Sequence, residues 1–254
     1  MEFEFITIIV LFLIFFAAGF IDSIAGGGGI LTIPALLFTG IPPQSVLGTS
    51  KLASTLGTGA AVINFAKNKK ILWKVIAYGI IFSLTGSFIG SKTILHIPQE
   101  MVGKIIILLL PLGIIAVLIP KKQKNSRSNN LKKTDLLLKI PLICLIVGFY
   151  DGFFGPGTGA FLTVLFYLLT KMDLINATAN AKVFNLISNI GGLTVFIISN
   201  KVIFSLGIPL AIANIAGNLL GSRLAIKKGE KVIRFFLIIV FILLLISLIY
   251  KYIK

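Results

Sequence analysis

The chain has 254 residues, of which 57% are hydrophobic and 13% are charged, and its mean hydropathy is +1.04. Soluble domains average roughly 45–50% apolar and 25% charged residues, so this composition excludes an ordinary soluble domain. The long segments are apolar on every face and lack the alternation of barrel strands, which excludes an outer-membrane barrel and predicts an all-α polytopic membrane protein.

In chain order, each half of the sequence contains five apolar stretches. Those of the first half are 5–24, 30–40, 46–66, 71–94 and 101–120. Those of the second half are 136–154, 160–171, 175–199, 202–224 and 232–252. The sequence therefore predicts a first transmembrane repeat over 1–120, a basic cytoplasmic linker over 121–135 and a second transmembrane repeat over 136–254. Together they supply about 8–10 membrane segments.

The second stretch of each half, 30–40 and 160–171, is too short to cross a bilayer. Such a helix covers less than about 20 Å, whereas the hydrocarbon core is ~30 Å thick. Each stretch begins at a glycine-rich loop, and non-helical backbone is tolerated at membrane depth only where protein or a wet cavity satisfies its polar groups. We therefore expect two half-length helices beside a cavity.

These loops belong to an internal repeat. The segment 19–22 leads into four glycines at 26–29, and at a spacing of 129 residues the similar segment 148–151 leads into the glycine-rich loop 155–159. Further along, at a spacing of 131 residues, Lys51 corresponds to Lys182. A duplicated acid, glycine loop and lysine within an apolar chain is typical of transporters built from repeats.

The net charge of +16 resides in short clusters between the apolar stretches. Because Lys and Arg mark cytoplasmic loops of membrane proteins, these clusters indicate topology and not a nucleic-acid partner. The loop at 67–70 is basic while its repeat equivalent carries only Lys201, and the segment 227–234 is basic while its equivalent 96–103 has no Lys or Arg. Opposite charge bias in equivalent loops favours inverted repeats, with 67–70, 121–135 and 225–231 on the cytoplasmic side.

Two aspartates and two lysines embedded in the apolar stretches form a duplicated set: Asp22, Asp151, Lys51 and Lys182. Each costs roughly 2.5–3.5 kcal/mol on insertion scales, so a duplicated set calls for an explanation. One interpretation is structural, with Asp22 paired to Lys51 and Asp151 paired to Lys182 within each half. Another is that the lysines extend toward the membrane surface.

The functional hypothesis is an anion site. Glycines at a helix start expose N–H groups, and the helix dipole adds about half a positive charge there. We expect the lysines to contribute charge, the nearby polar side chains to contribute hydrogen bonds, and Asp22 and Asp151 to orient the lysines or carry a coupling ion. The candidate substrate-binding residues are Gly26, Gly27, Gly28, Gly29, Thr49, Ser50, Lys51, Gly155, Gly157, Thr158, Gly159, Asn180, Lys182 and Asn185.

Four other glycines are predicted to serve packing. Gly86 with Gly90, and Gly217 with Gly221, have the small-xxx-small spacing that lets two helices approach closely. The lone Cys144 can form no disulfide within the chain. No cofactor or metal site is indicated.

The motifs at 20–29, 33–36 and 48–51 resemble the sulfite exporter TauE/SafE family, also called the 4-toluene sulfonate uptake permease family. The resemblance extends over nearly the whole chain. It implies a multi-pass transporter of the prokaryotic plasma membrane, with two homologous halves, that carries sulfite, sulfoacetate or other small organosulfur anions. The second loop departs from the first, because Pro156 and Thr158 replace two of the glycines and Pro156 has no N–H to offer an anion.

The sequence thus predicts a secondary transporter or exporter of a small anion, whose partners are that anion and the lipid bilayer, with proton or sodium coupling as a further role for the aspartates. One alternative is a cation carrier that uses Asp22 and Asp151 as ligands, although the neighbouring lysines would repel a cation. A non-catalytic membrane scaffold is a second alternative. A membrane-embedded enzyme is a third, and it lacks the clustered acids or nucleophile–base pair that such chemistry uses.

Overall fold

The computed structural model describes residues 5–102, 104, 131–233, 235 and 236, and within these ranges the regular structure is helical throughout. Most of the predicted stretches 101–120 and 232–252, and residues 121–130 of the predicted linker, lie outside the described residues. The α-helices are α1 (Phe5–Ala25), α2 (Gly29–Leu37), α3 (Pro43–Lys67), α4 (Trp73–Leu95), α5 (Ile140–Phe153), α6 (Thr158–Leu165), α7 (Leu174–Ile198) and α8 (Phe204–Lys228). Single π-helical turns, Asp135–Lys139 and Phe166–Thr170, precede α5 and follow α6.

Five of the described helical segments are long and apolar enough to cross a membrane: Ile6–Ala25, Trp73–Leu95, Asp135–Phe153, Leu174–Ile198 and Phe204–Lys228. Helix α3 is as long as α7 and α8, at 25 residues, but is more polar. Helices α2 and α6 have only nine and eight residues, as their sequences predict. These features identify a multi-pass helical membrane protein with two short helices.

Two apolar clusters lie at opposite ends of the helices. The first apolar cluster includes Ala25, Phe65, Ile71, Leu136, Leu174 and Ala225. The second apolar cluster includes Phe15, Leu36, Val46, Ile94, Phe196 and Leu206. The basic segments 67–70 and 227–231 therefore lie at the end of the first cluster, and they share one side of the molecule as the charge pattern predicts.

The clusters also give the direction of each helix. Helix α1 runs from the second cluster at Phe15 to the first at Ala25, and α2 then turns back, from Ile30 in the first cluster to Leu36 in the second. In the other half, α5 runs toward the second cluster and α6 returns to the first. Each short helix thus reverses the path of the long helix before it, and the two reversals come from opposite ends.

Helices from one half of the chain pack against helices from the other half, and glycines lie at these contacts. A Cβ on Gly90 of α4 would come within 2.8 Å of the Phe153 amide nitrogen, and one on Gly217 of α8 would come within 2.7 Å of that of Phe20. No side chain fits at these positions, so α4 packs directly on α5 and α8 on α1. The packing role predicted for Gly90 and Gly217 is confirmed, as it is for Gly86 and Gly221.

Candidate functional site

The four intramembrane charges form two ion pairs, and each pair joins one half of the chain to the other. Lys51 Nζ lies 3.0 Å from Asp151 Oδ2, and Lys182 Nζ lies 2.8 Å from Asp22 Oδ2. The predicted pairing within each half is therefore wrong, because α3 and α7 run antiparallel and each lysine lies beside the aspartate of the opposite half. The alternative in which the lysines extend toward the membrane surface is wrong too, since Lys51 and Lys182 are buried.

The pair of Lys51 and Asp151 is fully hydrogen-bonded. Asp151 Oδ1 accepts from the Thr158 hydroxyl at 2.8 Å, and Lys51 also donates to Asn189 Oδ1 at 3.2 Å. Only 2% of the Asp151 side chain and 8% of the Lys51 side chain are exposed. Both charges of this pair are thus compensated by close partners.

In the pair of Lys182 and Asp22, the carboxylate accepts fewer short hydrogen bonds than that of Asp151 does. Asp22 Oδ1 accepts only a long bond from Gly28 N–H, at 3.3 Å, and Oδ2 accepts from the Thr58 hydroxyl at 3.5 Å. The Asp22 side chain is 15% exposed, whereas that of Lys182 is completely buried. The cause is visible in the sequence: the counterpart of Thr158 in the first loop is Gly29, which has no hydroxyl to offer the carboxylate.

The two glycine loops touch each other between the ion pairs. Ala160 N–H donates to Gly26 O at 3.2 Å, and Gly26 has a φ of +79°. A Cβ on Gly26 would overlap the backbone of Gly159 and Ala160. Gly155 and Gly157 also adopt positive φ, at +100° and +83°, so these turns require residues without a side chain.

A cavity of about 30 Å³ lies where the loops, α3 and α7 meet. Its volume suits about one water molecule. The predicted residues that line it are Asp22, Gly26, Gly29, Ser50, Lys51, Asp151, Gly155, Gly157, Thr158, Gly159 and Asn185. The structure therefore brings most of the candidate set into one place.

Five candidates do not line this cavity: Gly27, Gly28, Thr49, Asn180 and Lys182. Thr49 Oγ1 accepts from Ile203 N–H at 3.0 Å, and Asn180 Oδ1 accepts from Leu72 N–H at 3.1 Å, so both side chains cap a helix start in the opposite half. Lys182 lies directly behind the cavity wall, since a Cβ on Gly159 would be 3.1 Å from its Nζ.

Sequence reasoning missed five lining residues: Ile33, Leu47, Ser54, Phe154 and Asn189. The two polar residues, Ser54 and Asn189, could have been predicted from helix periodicity. Ser54 follows Lys51 by three positions and Asn189 follows Lys182 by seven, so each shares a helix face with its lysine. The three apolar residues belong to the second apolar cluster, so the cavity lies toward that end.

Several polar groups at the cavity have no protein partner among the described residues. The Asn185 side chain is 6% exposed and lines the cavity, yet its amide makes no hydrogen bond to any part of the chain that the structure describes. The N–H groups of Gly29 and Gly159, at the starts of α2 and α6, likewise donate to no described acceptor. Buried polar groups are normally bonded, so this arrangement offers hydrogen-bond donors to a ligand with several acceptor oxygens.

Comparison with known proteins places these motifs in one family. The model of the sulfite exporter TauE/SafE family matches residues 11–248. The chain is 40% identical over 232 residues to the probable membrane transporter protein YfcA of Escherichia coli strain K12, covering 91% of this chain and 85% of the relative.

Two further relatives bear similar descriptions. The probable membrane transporter protein ORF9 of Sinorhizobium sp is 37% identical over 241 residues, covering 94% of this chain and 90% of the relative. A probable membrane transporter protein of Haemophilus influenzae is 34% identical over 242 residues, covering 95% and 94%. No solved structure matches the chain. The chain belongs to the sulfite exporter TauE/SafE family.

Proposed function

We propose that this member of the TauE/SafE family is a secondary transporter that exports a small anion, sulfite or a compact sulfonate, across the prokaryotic plasma membrane. The unpartnered amide of Asn185, facing a cavity between the starts of α2 and α6, carries this proposal. The Asn185 amide opens onto the cavity and makes no bond to a described residue, so its N–H groups can donate to an oxyanion bound there.

The backbone around the cavity also suits an anion. The starts of α2 and α6 each bring roughly half a positive charge, and their glycines allow an oxyanion to approach the backbone closely. Lys51 lines the cavity and Lys182 lies behind Gly159. An anion at this position would meet donors from both short helices and from α7.

The size of the cavity favours a compact substrate. At about 30 Å³ it requires only a small expansion to hold an anion such as sulfite, whereas an aromatic sulfonate would require the loops to separate. The loops are in direct backbone contact, so such a separation would break the bond between Ala160 N–H and Gly26 O. We therefore expect affinity to fall as the organic group of a sulfonate grows.

We further propose that the two halves are inverted repeats that rock about the site, giving alternating access. Exchanged contacts support this. Thr49 caps the helix start at Ile203, and their repeat counterparts Asn180 and Leu72 make the reciprocal contact.

A cation carrier, the alternative left open by the sequence, has no supporting observation in the described residues. Asp22 and Asp151 each form an ion pair with a lysine, which leaves little net negative charge to attract a metal ion. Coupling of the anion to a proton is a separate question, taken up below.

The test is sulfite efflux from proteoliposomes together with calorimetric binding of sulfite. Asn185→Leu should weaken binding about tenfold to a hundredfold, because a hydrogen bond to a charged group is worth about 1.5–3 kcal/mol. Asn180→Leu is the matched control: it should lower thermal stability by removing the cap at Leu72 while leaving sulfite affinity unchanged. Equal affinity in Asn185→Leu and the wild type would show that the anion binds elsewhere.

A further inference from the structure

The two ion pairs pose an electrostatic problem for an anion. With both pairs intact the two lysines and two aspartates sum to zero charge, and both carboxylates, of Asp22 and Asp151, line the cavity. An arriving anion would be repelled by these carboxylates, and the lysines would already have counter-ions. Binding therefore requires that one carboxylate lose its charge or move away.

We propose that Asp22 is the proton-binding group of the transport cycle: it takes up one proton when the anion binds, and the anion replaces it as the counter-ion of Lys182. This inference rests on the anion transport proposed above and adds the coupling ion. In each cycle the proton on the Asp22 carboxyl and the anion beside Lys182 cross together, driven outward by the concentration gradient of the anion, and both are released on the far side when the ion pair of Asp22 and Lys182 re-forms.

Exposure to the cavity favours Asp22 over Asp151. Asp151 Oδ2 accepts from Lys51 at 3.0 Å, Oδ1 lies 2.8 Å from the Thr158 hydroxyl, which also lies 2.7 Å from Gly155 O, and the Asp151 side chain is 2% exposed. Asp22 has a single close bond, the 2.8 Å contact with Lys182, and its side chain is 15% exposed. Protonation of Asp22 on Oδ1 leaves the short contact of Oδ2 with Lys182 in place, and the larger exposed fraction of Asp22 makes its carboxylate the more accessible of the two.

The groups facing Asp22 support the exchange. Lys182 approaches from α7, Thr58 from α3 and Gly28 from the first loop, while Lys51 and Asp151 share the cavity. Lys182 is the only described cation bonded to Asp22, so it becomes uncompensated when that carboxyl is neutral. The Cβ position of Gly159 lies 3.1 Å from Lys182 Nζ and 2.7 Å from Gly26 Cα, so an anion beside Gly159 restores the counter-charge of Lys182 once Gly26 moves aside.

Asp151 then has a different role. Its ion pair with Lys51 stays intact through binding and fixes α3 to α5 at the wall of the cavity. One residue replacement between the two loops accompanies this division: the Thr158 hydroxyl lies 2.8 Å from Asp151 Oδ1, whereas Gly29 has no hydroxyl to offer Asp22. The duplicated sequence has thus become one proton site and one structural pair.

The probe is methanesulfonate, a compact sulfonate that stays fully ionised near neutral pH, so that protons taken up must bind the protein. Calorimetric titration of the purified full-length chain in two buffers of different ionisation enthalpy gives the protons absorbed per anion. We expect one proton for the wild type and none for Asp22→Asn, whose amide imitates a neutral carboxyl. Wild-type affinity should fall about tenfold per pH unit where Asp22 is ionised in the free protein, and Asp22→Asn affinity should be independent of pH.

The outcomes separate this inference from the proposed function. Binding by the wild type without proton uptake, or uptake that persists in Asp22→Asn, would overturn the inference and leave anion transport standing. A requirement for sodium in place of proton uptake would overturn it in the same way. Failure of the wild type to bind methanesulfonate and sulfite would overturn the proposed function itself. Absence of proton uptake by the wild type overturns the inference even where Asp22→Asn does not fold.

Discussion

Lys51 of α3 donates to Asp151 of α5, with 3.0 Å between Nζ and Oδ2, although the two residues lie 100 positions apart in the chain. The reciprocal bond joins Lys182 to Asp22 over 160 positions. Each half of the molecule therefore supplies the counter-ion of the other, and the charges that make insertion costly are neutralised only when the halves associate.

A double-mutant cycle tests this crossed pairing. Asp151→Asn should destabilise the protein by about 3–5 kcal/mol because it leaves the Lys51 ammonium buried without a counter-ion. Adding Lys51→Met should restore most of that loss, since the double variant buries no unpaired charge. Thermal unfolding in detergent measures both changes. In the control cycle of Lys51→Met with Asp22→Asn the effects should add, and an equally strong coupling there would argue for pairing within the first half.

Contact between the glycine loops can be tested at Gly26. Alanine there must adopt a φ of +79° and overlap the backbone of Gly159 and Ala160. Gly40 is the matched control, because it has a φ of +76° but no atom lies within 4 Å of its Cβ position.

Gly40→Ala should cost about 1–2 kcal/mol from backbone strain alone. Gly26→Ala should cost about 1–3 kcal/mol more from overpacking and should abolish sulfite efflux. Near-equal stability of the two variants, with efflux retained in both, would mean that the loops are not in contact in the membrane.

Helix packing across the halves depends on Gly90. A Cβ at this position would lie 2.8 Å from the Phe153 nitrogen, so Gly90→Ala should destabilise the protein by about 1–3 kcal/mol. At Gly59, the nearest atom to a Cβ would be 4.0 Å away, on Leu186. Gly59→Ala should therefore be neutral or stabilising by up to about 1 kcal/mol through helix propensity. The opposite order of melting temperatures would contradict the close approach of α4 and α5.

Topology can be measured by thiol labelling in whole cells, using a Cys144→Ser background. Lys69→Cys and Lys227→Cys lie at exposed positions near the first apolar cluster, and Ser199→Cys lies at an exposed position near the second. A membrane-impermeant maleimide should label Ser199→Cys in intact cells and the other two only after permeabilisation, because basic loops face the cytoplasm. Labelling of Lys69→Cys and Lys227→Cys from opposite sides would be incompatible with the described helix directions.

The helices were largely predictable because local signals define them. The predicted stretches 46–66 and 175–199 differ from α3 and α7 by at most three residues at either end. The short helices were predictable as well, since glycine loops and segment length are properties of the sequence alone. Ser54 and Asn189 could have been added to the site from helix periodicity, because each repeats at the spacing that shares a face with a lysine.

The sequence alone could not predict which aspartate forms an ion pair with which lysine. Lys51 is nearer to Asp22 than to Asp151 along the chain. Electrostatic attraction depends on distance in space, however, and the antiparallel packing of α3 on α7 sets that distance. The capping roles of Thr49 and Asn180 could not be predicted either, because the N–H groups that they cap belong to the opposite half of the chain.

The sequence by itself determined that this is a helical membrane protein with a duplicated acid, glycine loop and lysine, because composition and periodicity are local quantities. Tertiary structure alone decided which charges meet, which amides are left without partners and how large the exposed fraction of each aspartate is. The sequence motifs therefore supplied the residues of the site, and the packing of the two halves of the chain decided which lysine pairs with Asp22 and which with Asp151.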